Sequence, residues 1–231
     1  MTTSSKRIQS LERAFMLLEQ LSLAEQPLSL QTLSERVQLK KTTVHGLLAT
    51  LVDLGYVGRA NQTYTLGLRL RELSKPLEQQ DETIRQRFNP LLIKIAKLSE
   101  QTAYLAVQSG SNEYLYIDAI ESDHPLAIRS PRGKREGLTT SAIGKVFLAC
   151  DDDLKRRLRL RGQLPPALEI ELEQVRQQGF ALDLEEAEPG LNCLAIPLYL
   201  NGECVAVAGL SGAAQLLSPS LLCTLYQQIL D

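Results

Sequence analysis

Apolar residues in the first third of the chain recur at steps of three and four. In residues 8–23 these are Ile8, Leu11, Ala14, Phe15, Leu17, Leu18 and Leu21. That spacing places them on one face of a helix with 3.6 residues per turn. A polar, Ser/Thr-rich arm at 1–7 precedes it, and Ser22 to Pro27 breaks it. Ser29 is placed to cap a short helix at 30–37 with Leu30, Leu33 and Val37 inside. Gln38-Leu39-Lys40 makes a tight connection into a third helix at 41–54, with Val44, Leu47, Leu48, Leu51 and Leu54 as its buried stripe. Gly55 sits where a left-handed residue ends a helix. Residues 56–66 read as a small hairpin turning at Ala60-Asn61-Gln62, and a further helix at 67–74 is predicted to stop before Pro76. Sparse apolar positions at Leu77, Ile84 and Phe88 fit a linker helix. Pro90 marks a break or a new start, and 91–100 is again amphipathic.

Beyond 102 the period shortens. Short strands are predicted at 103–108, 114–119 and 126–128, with Gly110-Ser111-Asn112 turning between the first two. Helices are predicted at 141–150, 152–160 and 168–178, and strands at 180–183, 191–200 and 204–211. Asn201-Gly202 is a strong hairpin turn. A last helix at 219–230 follows a Ser218 cap, with Pro219 at its first position. The class is α+β: a helical first part, then a mixed sheet flanked by helices. The predicted division is 8–75, a linker helix at 76–90, and a second domain at 91–231.

Three short helices, a tight turn before the third and a hairpin after it make the plan of a winged helix-turn-helix. Removing the buried stripe of the third helix leaves Thr42, Thr43, His45, Gly46, Ala49 and Thr50 outward. Small and hydrogen-bonding side chains suit a helix lying in a major groove about 12 Å wide. Lys40 and Lys41 stand at the helix start, and Arg59 on the hairpin is placed to meet phosphates. The same three helices also fit a module that binds other proteins; salt-dependent DNA binding separates the two readings.

Charge adds modest support. Residues 1–75 hold 10 Lys/Arg against 6 Asp/Glu, so +4, and the remainder holds 15 against 21, so −6, which together give the net −2. No signal segment opens the chain and no apolar run reaches the ~20 residues of a membrane span, so a cytoplasmic protein is expected. The four cysteines, Cys150, Cys193, Cys204 and Cys223, have no close CxxC spacing, and reduced thiols are expected. Only His45 and His124 are available as histidine bases or metal ligands. His45 is committed to the third helix, and no zinc spacing or phosphate-cradling Gly-rich motif is present. The chain is therefore expected to have no enzymatic activity, no metal and no cofactor.

Several segments, in order, carry a resemblance. Gln9 to Ala14, Leu39 to Leu51, Leu54-Gly55-Tyr56-Val57 and Tyr64-Thr65-Leu66-Gly67 resemble the N-terminal domain of the IclR family of bacterial transcriptional regulators. Leu138-Thr139-Thr140-Ser141-Ala142-Ile143-Gly144-Lys145 resembles that family's entry into the first helix of its effector domain. Gly179 to Asp183, Pro189 to Ala195 and Leu210-Ser211-Gly212 resemble the hallmarks that follow. The chain departs from the family at Gly46, where members commonly carry a larger, often basic residue. Base reading is therefore expected to rest more on Thr42, Thr43, His45 and Thr50.

The resemblance implies a GAF/profilin-like effector-binding domain that takes a small organic or aromatic acid. It also implies a homodimer or dimer of dimers on a palindromic double-stranded operator, acting most often as a repressor. The residues it places around the ligand are Thr140, Ser141, Ala142, Asp183, Cys193 and Ser211. A helix starting near Ser141 supports an anion independently, because its first N–H groups lack partners and carry partial positive charge. Each residue also has a plain structural reading: Ser141 as a helix cap, Asp183 as a turn cap, and Cys193 as a small buried hydrophobe. Arg129, Arg132 and Lys134 read as a solvated loop.

Overall fold

A computed structural model of the chain describes residues 8–110, 112–121 and 132–231. The expected N-terminal arm, Ser111 of the first turn, the strand expected at 126–128, His124 and Arg129 lie outside the described residues. The chain divides into two compact units, one ending at Gln79 and the other starting at Gln80.

The helices and hairpin of the first unit form where the periodicity predicts, with one added strand. Ile8, Leu11 and Phe15 of the first expected stripe and Leu54 of the third are exposed, however, because only the middle and end of the first helix and the first three turns of the third pack on the core. Helices α1 (Gln9–Ser22), α2 (Leu30–Arg36) and α3 (Lys41–Asp53) surround a core of Leu17, Leu21, Leu33, Val37, Val44, Leu48 and Leu51. The Ser29 hydroxyl accepts from the Thr32 N–H at 3.1 Å, capping α2. Gly55 follows α3 with φ +80°, the left-handed termination that a residue with Cβ adopts only under strain. Strands β2 (Val57–Ala60) and β3 (Thr63–Leu66) form the hairpin, with Asn61 at φ 55° in its turn. The two-residue strand β1 (Leu28–Ser29) pairs antiparallel with β3 and makes a three-stranded wing. Two residues carry no alternation, so a sequence pattern has nothing to register there.

Helix α4 (Arg69–Ser99) corrects the reading of both prolines, because it runs unbroken through Pro76 and Pro90. A helical proline removes one N–H and leaves a carbonyl four residues earlier without its partner. Those carbonyls belong to Glu72 and Gln86; both residues are exposed, as are the prolines, so the break in the ladder falls on the solvent side of the helix, where it costs least. The segment expected as a linker at 76–90 is thus the middle of one 31-residue helix.

The second unit is a six-stranded sheet covered on both faces. Strands β4 (Thr102–Ser109), β5 (Glu113–Ile120), β6 (Arg135–Gly137), β7 (Ala181–Leu184), β8 (Leu191–Leu200) and β9 (Glu203–Ala213) lie in the order β6-β5-β4-β9-β8-β7. Every pairing is antiparallel. The β8–β9 hairpin turns on Asn201 (φ 52°) and Gly202 (φ 84°), as the Asn-Gly dipeptide predicts. Strand alternation sorts the core. Ala103, Leu105, Ala206 and Ala208 face Ile84, Leu92 and Ile95 of α4 and the apolar face of α8 (Pro219–Leu230). Tyr104, Ala106, Ala195 and Val207 face α5 (Ala142–Cys150), α6 (Asp152–Leu160) and α7 (Pro166–Gln178).

Helix α5 lies close against the chain that leads into it. A Cβ on Gly144 would sit 2.5 Å from the Leu138 backbone, so only glycine permits that approach. Eight of the nine residues of α5 are buried, including Lys145. Burial alone would lower the lysine's pKa. The Glu171 and Glu186 carboxylates, each 2.7 Å from Nζ, outweigh it and hold the pKa above the ordinary value. Nζ also donates to the Leu182 carbonyl at 3.2 Å. One buried cation therefore ties α5 to α7, to β7 and to the loop after β7.

Candidate functional site

Two surfaces hold the sequence-predicted residues. In the first unit, α3 buries Val44, Leu48 and Leu51 and turns the opposite face outward. Lys40, Lys41, Thr42, His45, Gly46, Ala49 and Thr50 are exposed on it, and Thr43 is half-buried. A Cβ on Gly46 would meet nothing within 4 Å, so the middle of this face is a bare backbone notch. The Thr50 hydroxyl donates back to the Gly46 carbonyl at 3.1 Å, which leaves its oxygen's lone pairs outward. Lys41 Nζ lies 3.4 Å from Gln31 Oε1 on α2. On the wing, exposed Arg59 stands over the ring of its cross-strand partner Tyr64, with the guanidinium 5.7 Å from the ring centroid. Sequence reasoning missed that support. The alternation Arg59, Tyr64 across a short hairpin was the available signal.

In the second unit a cavity of about 360 Å³ opens between the sheet and the start of α5. All six predicted ligand residues line it: Thr140, Ser141, Ala142, Asp183, Cys193 and Ser211. Buried Ser141 caps α5: its hydroxyl accepts from the Gly144 N–H and lies within donating distance of the Gly137 carbonyl, both at 3.2 Å. The N–H groups of the first helical turn that follow it have no intrahelical acceptor. Asp183 Oδ1 accepts from the Glu186 and Ala187 N–H groups at 2.8 and 3.2 Å. Asp183 thus caps the turn after β7 and lines the cavity as well. Cys193 and Ser211 are cross-strand neighbours on β8 and β9, and the thiol donates to the Ser211 hydroxyl at 3.2 Å. Burial pushes the Cys193 thiol up to about 12, so it stays neutral and is no nucleophile near neutral pH.

The cavity also contains residues that sequence reasoning did not select. Tyr104, Tyr114, Tyr116 and Glu136 form its opposite wall. The Tyr114 and Tyr116 hydroxyls donate to Glu136 Oε2 at 2.5 and 2.9 Å and lie 3.1 Å apart. Burial raises the pKa of all three tyrosines. The buried Tyr104 hydroxyl meets no hydrogen-bond partner among the described residues. Tyr114 and Tyr116 two apart on one strand signalled a shared face, but not which face. Glu136 sits on a three-residue strand that the pattern did not reveal. With Asp183 and Glu188, the wall carries three carboxylates, and the start of α5 brings the positive end of a helix to the same cavity. Among the described residues no three or more His, Cys, Asp or Glu side chains are placed to hold a metal ion together. No helix among them is long and apolar enough to cross a membrane.

Comparison with known proteins agrees along the chain. Residues 78–229 match the family described as bacterial transcriptional regulator IclR C-terminal, and residues 10–60 match the IclR helix-turn-helix domain. The chain is 33% identical over 217 residues to the HTH-type transcriptional regulator KdgR of Escherichia coli K12, covering 88% of this chain and 81% of that protein. It is 26% identical over 207 residues to the transcriptional repressor IclR of the same organism, covering 84% of this chain and 75% of that protein. In fold it is similar to an IclR homologue from Microbacterium hydrocarbonoxydans solved with 4-hydroxybenzoate. That match has a TM-score of 0.72 at 20% identity and covers 96% of each chain.

Proposed function

The chain belongs to the IclR family of helix-turn-helix transcriptional regulators, a family that is not enzymatic, and on that premise we propose how it acts. It is a cytoplasmic repressor that binds a palindromic operator as a homodimer or dimer of dimers and is controlled by a small organic acid. The observation that carries the DNA-binding half is the outward face of α3, polar, small and led by Lys40 and Lys41. Thr42, Thr43, His45 and Thr50 offer donors and acceptors to base edges. Gly46 lets the backbone approach the groove floor. Lys40, Lys41 and Arg59 meet phosphates, which fixes register without reading sequence. A two-fold assembly presents two such helices, so half-site spacing follows from its geometry. Repression is favoured by relatives named as repressors.

The ligand half rests on the cavity at the start of α5. A carboxylate is favoured at the helix N-terminus beside Thr140 and Ser141, where N–H groups and the helix dipole meet it. Glu136 and Asp183 then accept from hydroxyl groups at the ligand's other end. A cavity of about 360 Å³ suits a metabolite of this kind, and the homologue solved with 4-hydroxybenzoate binds a molecule with both features. Binding that favours one arrangement of the assembly over another changes the free energy of filling both half-sites, which is the allosteric coupling required.

Fluorescence anisotropy on the DNA upstream of the protein's own coding region, across a salt series, tests this reading. Tight binding that weakens steeply with salt yet exceeds binding to an unrelated duplex is expected. Added hydroxylated acids should shift it, and Asp183→Asn should abolish the shift while sparing DNA affinity. Equal affinity for all duplexes, with or without acids, would return α3 to a role in protein contacts.

A further inference from the structure

A second cavity in the same unit, of about 800 Å³, lies at the far end of α5, where the ligand reading uses no residue. It is lined by Cys150, the last residue of that helix, and by Cys204 at the start of β9. Both thiols are half-buried and pack on the α5 side of the sheet. Tyr199 joins them: its Cα pairs with that of Cys204 across the β8–β9 hairpin, and its hydroxyl lies 3.6 Å from the Cys150 sulfur. Directly opposed strand residues point to the same face, so the Cys204 thiol is presented to the tip of α5.

We propose that Cys150 and Cys204 are a peroxide-oxidisable thiol pair that closes into an intramolecular disulfide. This is independent of the DNA-binding reading. Cys150 is the attacking member. Interaction with the neighbouring Cys204 thiol, with the Tyr199 hydroxyl, Arg176 and Lys155, outweighs burial and brings the Cys150 thiol down to about 7, while the Cys204 thiol itself donates to the Ala206 carbonyl at 3.6 Å. The same interaction, with burial, raises Cys204, which stays protonated. Asp152 holds both cations beside the site, 2.6 Å from Lys155 and 3.2 Å from Arg176. Asp151, Asp153 and Glu203 also line the cavity and oppose the thiolate.

The chemistry closes with hydrogen peroxide as the oxidant. The Cys150 thiolate attacks one peroxide oxygen, an S–O bond forms, the O–O bond breaks, and hydroxide leaves to be protonated to water. The Cys204 sulfur then attacks the sulfenic sulfur; the S–S bond forms, the S–O bond breaks, and a second water carries away the Cys204 proton. Two electrons pass from the thiols to the peroxide. Cys193 lies at the other cavity with its thiol pushed up by burial, and Cys223 is exposed on α8, so neither competes for this partner.

The test treats the reduced full-length protein with a few equivalents of hydrogen peroxide near pH 7. Peptides are then mapped without reduction, in a Cys223→Ser background, after cleavage at lysine, arginine and glutamate. Cleavage after Glu203 separates Cys204 from Cys193. A Cys150–Cys204 linked pair, with loss of two hydrogens from the intact mass, is expected. Cys204→Ser should stop at a sulfenic acid on Cys150 that a 1,3-dione traps, and Cys150→Ser should give neither product. In the unmodified chain Cys150 should be alkylated severalfold faster than Cys223 at neutral pH, because its own thiol is brought down to about 7. Linkage through Cys193, or no linkage with Cys150 no faster than Cys223, would overturn the proposal. The alkylation ratio is read on the unmodified chain, and the mapping alters only the exposed Cys223, so the two decide the matter even if Cys150→Ser or Cys204→Ser fails to fold.

Discussion

The outer face of α3 and the wall of the ligand cavity use the same kinds of residue in opposite ways. On α3, Thr42, His45 and Thr50 stand in water, where an uncommitted polar group costs nothing. In the cavity, Ser141, Asp183 and Glu136 are already committed, and the buried Tyr104 hydroxyl is the exception. Ser141 caps a helix, Asp183 takes two backbone N–H groups, and two tyrosines hold Glu136. A buried polar group without a partner loses its hydration with nothing in return, so a cavity wall must satisfy itself before any ligand arrives. One surface is therefore a list of side chains, while the other is a network whose parts fail together.

That difference predicts large stability effects around the cavity. The sharpest break is Gly144→Ala. The new Cβ is 2.5 Å from the backbone of Leu138, and backbone cannot rotate away. About 3 kcal/mol of unfolding free energy should be lost in chemical denaturation, the upper end for overpacking. A wild-type midpoint would mean that α5 slides without resistance.

Next comes the double change Glu171→Gln with Glu186→Gln, which leaves the buried Lys145 ammonium with neutral amide and carbonyl oxygens and no countercharge. Both acids are partly in water, which screens the loss, and about 2 kcal/mol is expected. The sign with pH follows from the raised Lys145 pKa. Its contribution is complete below the free-lysine value of 10.5 and is lost as pH rises through the folded value. The stability gap between wild type and variant should be constant from about pH 6 to 9 and close above 10.5. A gap that widened with alkali would contradict a charged buried lysine.

The same contrast explains what the sequence disclosed. Helices α1 to α3 carry one apolar stripe each, and subtracting the stripe leaves the outer face, so most of α3 was legible, although Leu54 of the expected stripe is exposed and Thr43 of the outward set is half-buried. Thr140, Ser141, Asp183, Cys193 and Ser211 come from four separate segments whose meeting no local period encodes; only the family resemblance joined them. Tyr104, Tyr114, Tyr116 and Glu136 were missed because they reach the cavity through strand order, β6-β5-β4-β9, which alternation does not specify. Pro76 and Pro90 misled for a related reason. Local preference favours a break, and tertiary burial of Ile84, Leu92 and Ile95 outweighs it.

On the α3 side, effects should be smaller and separable. His45→Ala, exposed and outward, should leave the unfolding midpoint within about 0.5 kcal/mol and reduce preference for the operator over random DNA by about 1–2 kcal/mol. Equal losses on both duplexes would make His45 a phosphate contact and not a reader of bases. Ser141 permits no such separation, since Ser141→Ala removes a cap worth about 1 kcal/mol along with any ligand contact.

The smallest effect, Gly46→Ala, sharpens the contrast most. Glycine within a helix costs about 1 kcal/mol relative to alanine, and here no atom lies within 4 Å of the added methyl. The free protein should therefore gain up to about 1 kcal/mol, the opposite sign to Gly144→Ala. If the bare notch lets α3 settle on the groove floor, operator affinity should fall at the same time. Denaturation and anisotropy on one variant then move in opposite directions. Were affinity to hold while stability rose, the helix would ride higher in the groove. Reading would then pass to the longer side chains at Lys41 and His45, leaving Gly46 as a departure from the family without consequence for recognition.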